Sequence, residues 1–178
     1  MEMNQAGMDI IVFSEVGDDP VTKGKAGWIL VDGRDCYLPK RDCLGIPTIG
    51  IGTISYPDGK IVTLNDPMIT GEQALEYLNF ELKDKASKIE SWANQNQVRL
   101  SGNQFSALLC FGYNLGCGPI VNSDSSLNKA LLSGEQLAIR SAFGLYVKGT
   151  KKRFGIPFKV TLPGLVIRRK KEADLFFS

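Results

Sequence analysis

The chain contains no histidine among its 178 residues. That absence removes Ser-His-Asp and Cys-His nucleophile activation and any His-ligated zinc. Proton chemistry must therefore come from carboxylates, Lys, Tyr or Cys. No apolar run approaches the roughly 18 residues of a membrane span, and residues 1–7 lack the basic and apolar stretches of a secretory signal. The expectation is a protein made soluble in the cytoplasm, without a signal peptide or membrane span. Cysteine pairs at CxxC spacing are missing as well. Cys110 and Cys117 lie seven apart on an expected helix, about 10 Å along its axis and too far for a disulfide. Cys36 and Cys43 are able to meet across a turn, and their pairing stays open. A reduced state is the default. Charge of one sign is also scarce, with 21 basic and 19 acidic side chains for a net +2, so no overall field favours nucleic acid. Lys151-Lys152-Arg153 and Arg168-Arg169-Lys170-Lys171 are local exceptions. They read as solvated faces, with attraction to a polyanionic envelope surface as the sharper alternative.

What remains is ordinary globular material, 43% hydrophobic and 22% charged. A chain of this length makes one domain, or a domain with a small lobe, and buries about 70% of its unfolded surface. Within residues 4–16, Met8, Ile11, Val12 and Glu15 recur at spacings of three and four, so a helix carries them on one face. Residues 17–45 switch to Gly, Pro and Asp punctuation around β-type runs. Trp28-Ile29-Leu30-Val31 reads as a strand, Asp32-Gly33 as a hairpin turn and Cys36-Tyr37-Leu38 as its return. Residues 48–55 and 60–64 predict a second hairpin across Pro57-Asp58-Gly59. Thr70 then caps a helix of about six turns, with Leu75, Leu78, Leu82, Ile89 and Trp92 on its apolar side. Ser101 caps a central buried helix, and residues 123–132 and 134–146 give two shorter ones. Residues 149–161 read as a basic loop, and Leu162-Pro163 opens a last helix to Phe177. The outline is an α+β, mainly helical fold: a helix, a small β-rich lobe, a long connecting helix and a helical bundle.

Few residues are placed for chemistry. Glu15 extends an apolar helix stripe, which breaks the local pattern. Asp32, Asp35 and Asp42 follow it in the β-rich segment, and Thr48 opens a Thr-Ile-Gly-Ile-Gly run whose glycines permit close approach. Two carboxylates in unlike surroundings are what glycosidic cleavage uses, one as general acid and one ionised. A Glu on an apolar face suits the first role and an Asp in a polar loop the second.

Several blocks carry a family resemblance. Gln5-Ala6-Gly7-Met8-Asp9-Ile10-Ile11 followed by Glu15 resembles the opening helix of the phage lysozymes, the endolysins of glycoside hydrolase family 24. Gly45-Ile46-Pro47-Thr48-Ile49-Gly50-Ile51-Gly52 is similar to that family's glycine-rich element. Asn103-Gln104-Phe105-Ser106-Ala107-Leu108 and Tyr113-Asn114-Leu115-Gly116-Cys117-Gly118 resemble its central helix, and Leu162-Pro163-Gly164 through Arg168-Arg169 to Glu172 its closing one. The resemblance implies a single lysozyme-like domain over 1–178. Its β-rich lobe spans about 18–66, and its helical lobe of about 97–178 packs with the N-terminal helix. Glu15, Asp42 and Thr48 would be catalytic, with Asp42 six residues before Thr48 as the family asks, and Tyr113 and Asn114 would contact sugar. The implied activity is muramidase: inverting hydrolysis of peptidoglycan between N-acetylmuramic acid and N-acetylglucosamine, without metal or other cofactor. The implied carboxyl separation is roughly 6.5–9.5 Å. A monomeric endolysin would reach periplasmic peptidoglycan once a separate holin permeabilises the membrane.

The chain departs from the family in the path from Glu15 to Asp42, where a hairpin is inserted at about 18–41. That insertion leaves Asp32 or Asp35 open as the second carboxylate. It can extend the glycan groove, cover it or bind a partner, and Trp28 can stack on sugar or fill the hairpin. Residues 148–159 form an expanded basic loop. Arg168 and Arg169 read as a structural pair or solvated face, or as an aid in orienting Glu15. Cys110 and Cys117 read as buried apolar residues. Two further functions compete: a muramidase toxin or envelope-penetrating domain, and a catalytically inactive lysozyme-like module that binds glycan or protein.

Overall fold

The structure, a computed structural model, describes residues 1–17, 23–24, 26–42, 45–153 and 156–178, with the side chains of 151–153 and 156 left aside. Cys43 and part of the 18–41 insertion lie outside the described residues. Two compact units emerge, one of Ile11–Asp84 and one joining Met1–Ile10 to Lys85–Ser178. The fold is α+β and mainly helical, as expected.

Helix α1 (Gln5–Glu15) begins the chain and contributes to both units. Its buried residues are Gly7, Ile10 and Ile11, while Met8, Val12 and Glu15 are half-buried. The apolar stripe is thus rotated from the face read in the sequence. Gly7 has no room for a side chain: a Cβ there would lie 2.9 Å from the Cβ of Ser106. Gly17, at φ +88°, ends the helix, and its N–H donates to the Phe13 carbonyl at 3.1 Å.

In the unit Ile11–Asp84, β1 (Trp28–Val31) and β2 (Arg34–Tyr37) form the expected antiparallel hairpin. Asp32 and Gly33 both take positive φ, +49° and +75°, the mirror-image turn that matches strand twist. β5 (Ile69–Thr70) pairs with β2 to complete a three-stranded sheet in the order β1-β2-β5. β3 (Lys40–Arg41) and β4 (Pro47–Thr48) form a second, two-stranded sheet. The hairpin expected over 48–64 is reduced to two isolated bridges, Ile49↔Thr53 and Ser55↔Ile61. Gly50 and Gly52, at φ +63° and +82°, bend the chain before a strand can run. The turn at Pro57-Asp58-Gly59 is present, with Tyr56 N donating to Lys60 O at 2.8 Å.

The long helix α2 (Gly71–Gln95) starts on Thr70, whose Oγ1 accepts from Gln73 N while Gln73 Oε1 accepts from Thr70 N. Leu78, Leu82, Ile89 and Trp92 are buried as expected, but Leu75 is 41% exposed. In the larger unit, α3 (Gly102–Leu115) is the central buried helix, with Ser101 and Gln104 forming a capping box. Phe105 through Gly112 are all buried, and the Phe111 and Phe143 rings meet edge to face at 5.5 Å. Short helix α4 (Gly118–Val121), which the sequence reading lacks, precedes α5 (Ser126–Ser133) and α6 (Gln136–Gly144).

Residues 149–161 are not a loop. β6 (Lys148–Arg153) and β7 (Ile156–Thr161) pair antiparallel from Lys148↔Thr161 to Arg153↔Ile156. Ile156, Phe158 and Val160 alternate along β7 with the period of a strand. Gly149 seats the base: a Cβ there would fall 2.5 Å from Leu162 Cδ1. Helix α7 (Pro163–Phe176) closes the chain with Pro163 in its first turn. No described helix is long and apolar enough to cross a membrane.

Candidate functional site

Glu15 is the last residue of α1 and is half-buried. Asp42 and Thr48 are held by the β3–β4 hairpin. Lys40 pairs with Thr48 and Arg41 with Pro47, so Asp42 begins the connection at one end of the same short ladder. Three bonds close that connection on Asp42 and Ile46. Asp42 N donates to Ile46 O at 2.9 Å, Gly45 N donates to Asp42 O at 3.1 Å, and Ile46 N donates to Asp42 Oδ1 at 2.8 Å. Arg41 Nη1 adds a bond to Gly45 O at 2.7 Å. Gly45 sits at φ +84°, a conformation that favours glycine there. The result is a fixed carboxylate that uses one oxygen to hold its own loop. Thr48 is buried, and its Oγ1 lies 3.5 Å from the Lys40 carbonyl, a long contact for a hydroxyl donor.

The alternative carboxylates have other employment. Asp32 occupies the β1–β2 turn. Asp35 Oδ1 accepts from Trp28 Nε1 at 2.9 Å, and Lys23 Nζ stands 5.4 Å from the Trp28 ring centre. Asp35 also lines an open groove of about 690 Å³ with Val12, Arg34, Tyr37, Ile51 and Leu75. Burial, aided by the charge of Asp35, raises the Tyr37 hydroxyl above its ordinary value.

In the larger unit, Tyr113 and Asn114 are neighbours near the C-terminal end of α3, both half-buried. Lys85 Nζ lies 5.7 Å from the Tyr113 ring centre. Asn114 Oδ1 accepts a hydrogen bond from Arg169 Nη2, which turns the amide NH₂ of Asn114 away from the arginine. The Arg169 guanidinium also lies 4.5 Å from the Phe111 ring centre. Arg168 and Arg169 are buried, so the solvated-face reading fails for this half of the basic run. Fully buried Glu172 accounts for both. Arg168 Nε donates to its Oε1 at 3.1 Å, and Arg169 Nη1 lies 2.7 Å from its Oε2, close but out of line for a hydrogen bond. Arg168 Nη2 also donates to the Cys110 carbonyl at 3.2 Å. Burial pushes the Glu172 carboxyl up to about 7, against the pull of the two guanidiniums, and lowers Arg169 to about 10.

Cys36, Cys110 and Cys117 are all buried thiols. Cys110 Sγ donates to Gly7 O at 3.1 Å, and burial raises its thiol to about 12, which makes it inert as a nucleophile. Among the described residues no cluster of Cys, Asp or Glu is arranged to hold a metal ion. The Arg169–Asn114 bond and the burial of Glu172 were missed in the sequence. The available signal was spacing, because Glu172 stands three and four residues after the two arginines on one helix.

Residues 36–172 match the phage lysozyme family. The span includes Asp42, Thr48, Tyr113 and Asn114 and begins downstream of Glu15. Among solved structures, the chain is similar to an endolysin from Escherichia coli O157:H7 phage FAHEc1, with a TM-score of 0.73 and 30% identity over 100% of this chain and 94% of that one. It is also similar to a P22 lysozyme variant, with a TM-score of 0.64 and 26% identity over 100% and 99%. The muramidase domain of SpmX from Asticaccaulis excentricus shares the fold, with a TM-score of 0.65 and 22% identity over 99% and 98%. No curated protein sequence matches. The matched span and the 30% identity over the whole chain establish that this chain belongs to the phage lysozyme family.

Proposed function

We propose that the chain is a peptidoglycan-degrading muramidase that hydrolyses the bond between N-acetylmuramic acid and N-acetylglucosamine, serving as a phage endolysin in host lysis. Glu15 protonates the leaving glycosidic oxygen. Water attacks the anomeric carbon of the muramic acid from the opposite face while Asp42 takes its proton, and Thr48 holds that water. The carbon–oxygen bond of the glycoside breaks, a new bond to hydroxyl forms, and configuration inverts. Tyr113 and Asn114 contact the sugars. The enzyme acts as a monomer on periplasmic peptidoglycan, with a separate holin giving it access.

One observation supports this assignment most directly: Asp42 and Thr48 share the β3–β4 hairpin, with Lys40 paired to Thr48 and Ile46 N bonded to Asp42 Oδ1. A carboxylate and a hydroxyl fixed on one small scaffold suit a water-activating pair. Asp32 and Asp35 belong to the neighbouring β1–β2 hairpin, one in its turn and the other bonded to Trp28. The test compares Asp42→Asn with Asp35→Asn and Asp32→Asn on purified peptidoglycan, with newly formed reducing ends as readout. Asp42→Asn is expected to lose at least ~10² in rate, and the other two to retain most of it. An active Asp42→Asn alongside an inactive Asp35→Asn would move the role to the inserted hairpin. Proton NMR of the first-formed muramic acid ends should show the α anomer, and a β anomer would contradict the inverting mechanism.

A further inference from the structure

Arg168 and Arg169 are neighbours on α7 and both are buried, yet they use their donors differently. Arg168 is tied into the fold on two sides. Its Nε donates to Glu172 Oε1 at 3.1 Å and its Nη2 to the Cys110 carbonyl at 3.2 Å. Arg169 is not tied in this way. Its Nε and Nη1 are buried without a hydrogen-bond partner among the described residues, although Nη1 lies 2.7 Å from Glu172 Oε2. Among the described residues, the side chain that accepts a hydrogen bond from its guanidinium is Asn114, through Nη2. A buried arginine with most of its fork unfilled is unusual, because each unmet donor carries a desolvation cost. Stacking and charge seat it instead. The guanidinium lies 4.5 Å from the Phe111 ring centre, and Glu172 balances its charge.

The bond to Asn114 has a chemical consequence. An arginine offers donors and no acceptor, and Arg169, lowered only to about 10, keeps its proton at neutral pH. Only the oxygen of the Asn114 amide can face it, so the amide is fixed in one orientation and its NH₂ points away. That NH₂ makes no hydrogen bond within the described residues. It is also not one of the buried polar atoms left without a partner, so it stands open at the surface. Phe111 and Asn114 lie three residues apart on α3, on one face of the helix. One helix therefore carries both the ring that seats the arginine and the amide that the arginine turns. Without the arginine the amide would rotate, presenting its oxygen and its NH₂ by turns, and binding would have to order it.

We propose that Arg169 is a positioning residue for substrate binding at Asn114: seated on Phe111 and balanced by Glu172, it holds the Asn114 amide so that the NH₂ donates to an acceptor oxygen of the glycan. This rests on the muramidase reading, in which Asn114 contacts sugar, and adds to it the residue that sets the direction of that contact. Arg169 itself does not touch substrate.

The experiment is a double-mutant cycle on the full-length protein, with reducing-end release from soluble, uncrosslinked glycan strands of peptidoglycan as the readout. Asn114→Ala is expected to raise KM about tenfold and Arg169→Met about fivefold, with kcat little changed, because such a contact binds ground state and transition state alike. The double variant should be no worse than Asn114→Ala alone, since the arginine then has nothing left to orient. Asn114→Asp keeps an acceptor for Arg169 but has no donor to offer. Its KM should rise as in Asn114→Ala while its unfolding midpoint holds. Where circular dichroism shows that Arg169→Met does not fold, Arg169→Met with Glu172→Gln takes its place, measured against Glu172→Gln. Effects of Arg169→Met and Asn114→Ala that multiply would overturn the proposal, as would a wild-type KM in Arg169→Met or in Asn114→Asp. Those outcomes all occur on an active wild type and leave the muramidase reading standing. A wild type that releases no reducing ends contradicts that reading, and the positioning role falls with it.

Discussion

Glu172 has no access to water and faces Arg168 at 3.1 Å and Arg169 at 2.7 Å. Burial outweighs the two cations, and its carboxyl is raised to about 7. A carboxyl whose folded value exceeds its unfolded one stabilises the fold in acid, and that contribution is lost as pH rises through the folded value. Between about pH 4.5 and 7 this group should therefore subtract up to about 3 kcal/mol from the stability of the protein. Urea unfolding across that range should show the decline in wild type and a flatter profile in Glu172→Gln; identical slopes would contradict the assignment. Asn114 makes a related prediction. Asn114→Ala removes the acceptor of Arg169 Nη2 and should cost about 1–3 kcal/mol, seen as a lower unfolding midpoint. An unchanged midpoint would reduce Asn114 to a surface contact. These roles were only half legible in the sequence. Glu15, Asp42 and Thr48 stood out by residue type and family spacing. The basic run Arg168-Arg169-Lys170-Lys171 left a structural pair and a solvated face both open, because burial depends on which side of α7 meets the rest of its unit, and the stretch itself gives little sign of that.

Elements were readable where a local rule decides them. Asp32-Gly33 specified its turn because both residues tolerate positive φ. Ser101 with Gln104 specified a helix start through the reciprocal capping bonds. The β6–β7 hairpin was not readable as such. Its strands gain their order by pairing with each other, and β6 taken alone, Lys-Gly-Thr-Lys-Lys-Arg, has no alternation to reveal. The bridges at Ile49↔Thr53 and Ser55↔Ile61 show the reverse error, since β-type residues there are interrupted by glycines that bend the chain. The β1–β2 hairpin has its own point of failure. Gly27 stands at φ +80°, and a Cβ would fall 2.4 Å from the Leu38 carbonyl oxygen. Gly27 O is also the acceptor for Leu38 N at 2.8 Å. Gly27→Ala should thus cost on the order of 2 kcal/mol or more. Hydrogen exchange should quicken in β1 and β2 while α3 amides stay protected, and an unaltered β1–β2 pattern would contradict this strain.

At the scale of the whole chain, two properties were visible before any coordinates. Sequence blocks spread from Gln5 to Glu172 follow the order of the phage lysozymes, and the family match over residues 36–172 agrees with them. The chain also separates its charge, with a cation-rich stretch over 136–171 and an acidic excess elsewhere. With no histidine in the chain, the acid and base proposed for it are both carboxylates. The central claim is that Glu15 supplies the proton for glycosidic cleavage. It is tested most directly by the rate of reducing-end release from purified peptidoglycan by wild type and Glu15→Gln, a change that keeps shape and removes the donor. The account predicts release by wild type and a loss of at least ~10² in the variant. A Glu15→Gln protein that still releases reducing ends at the wild-type rate would contradict it.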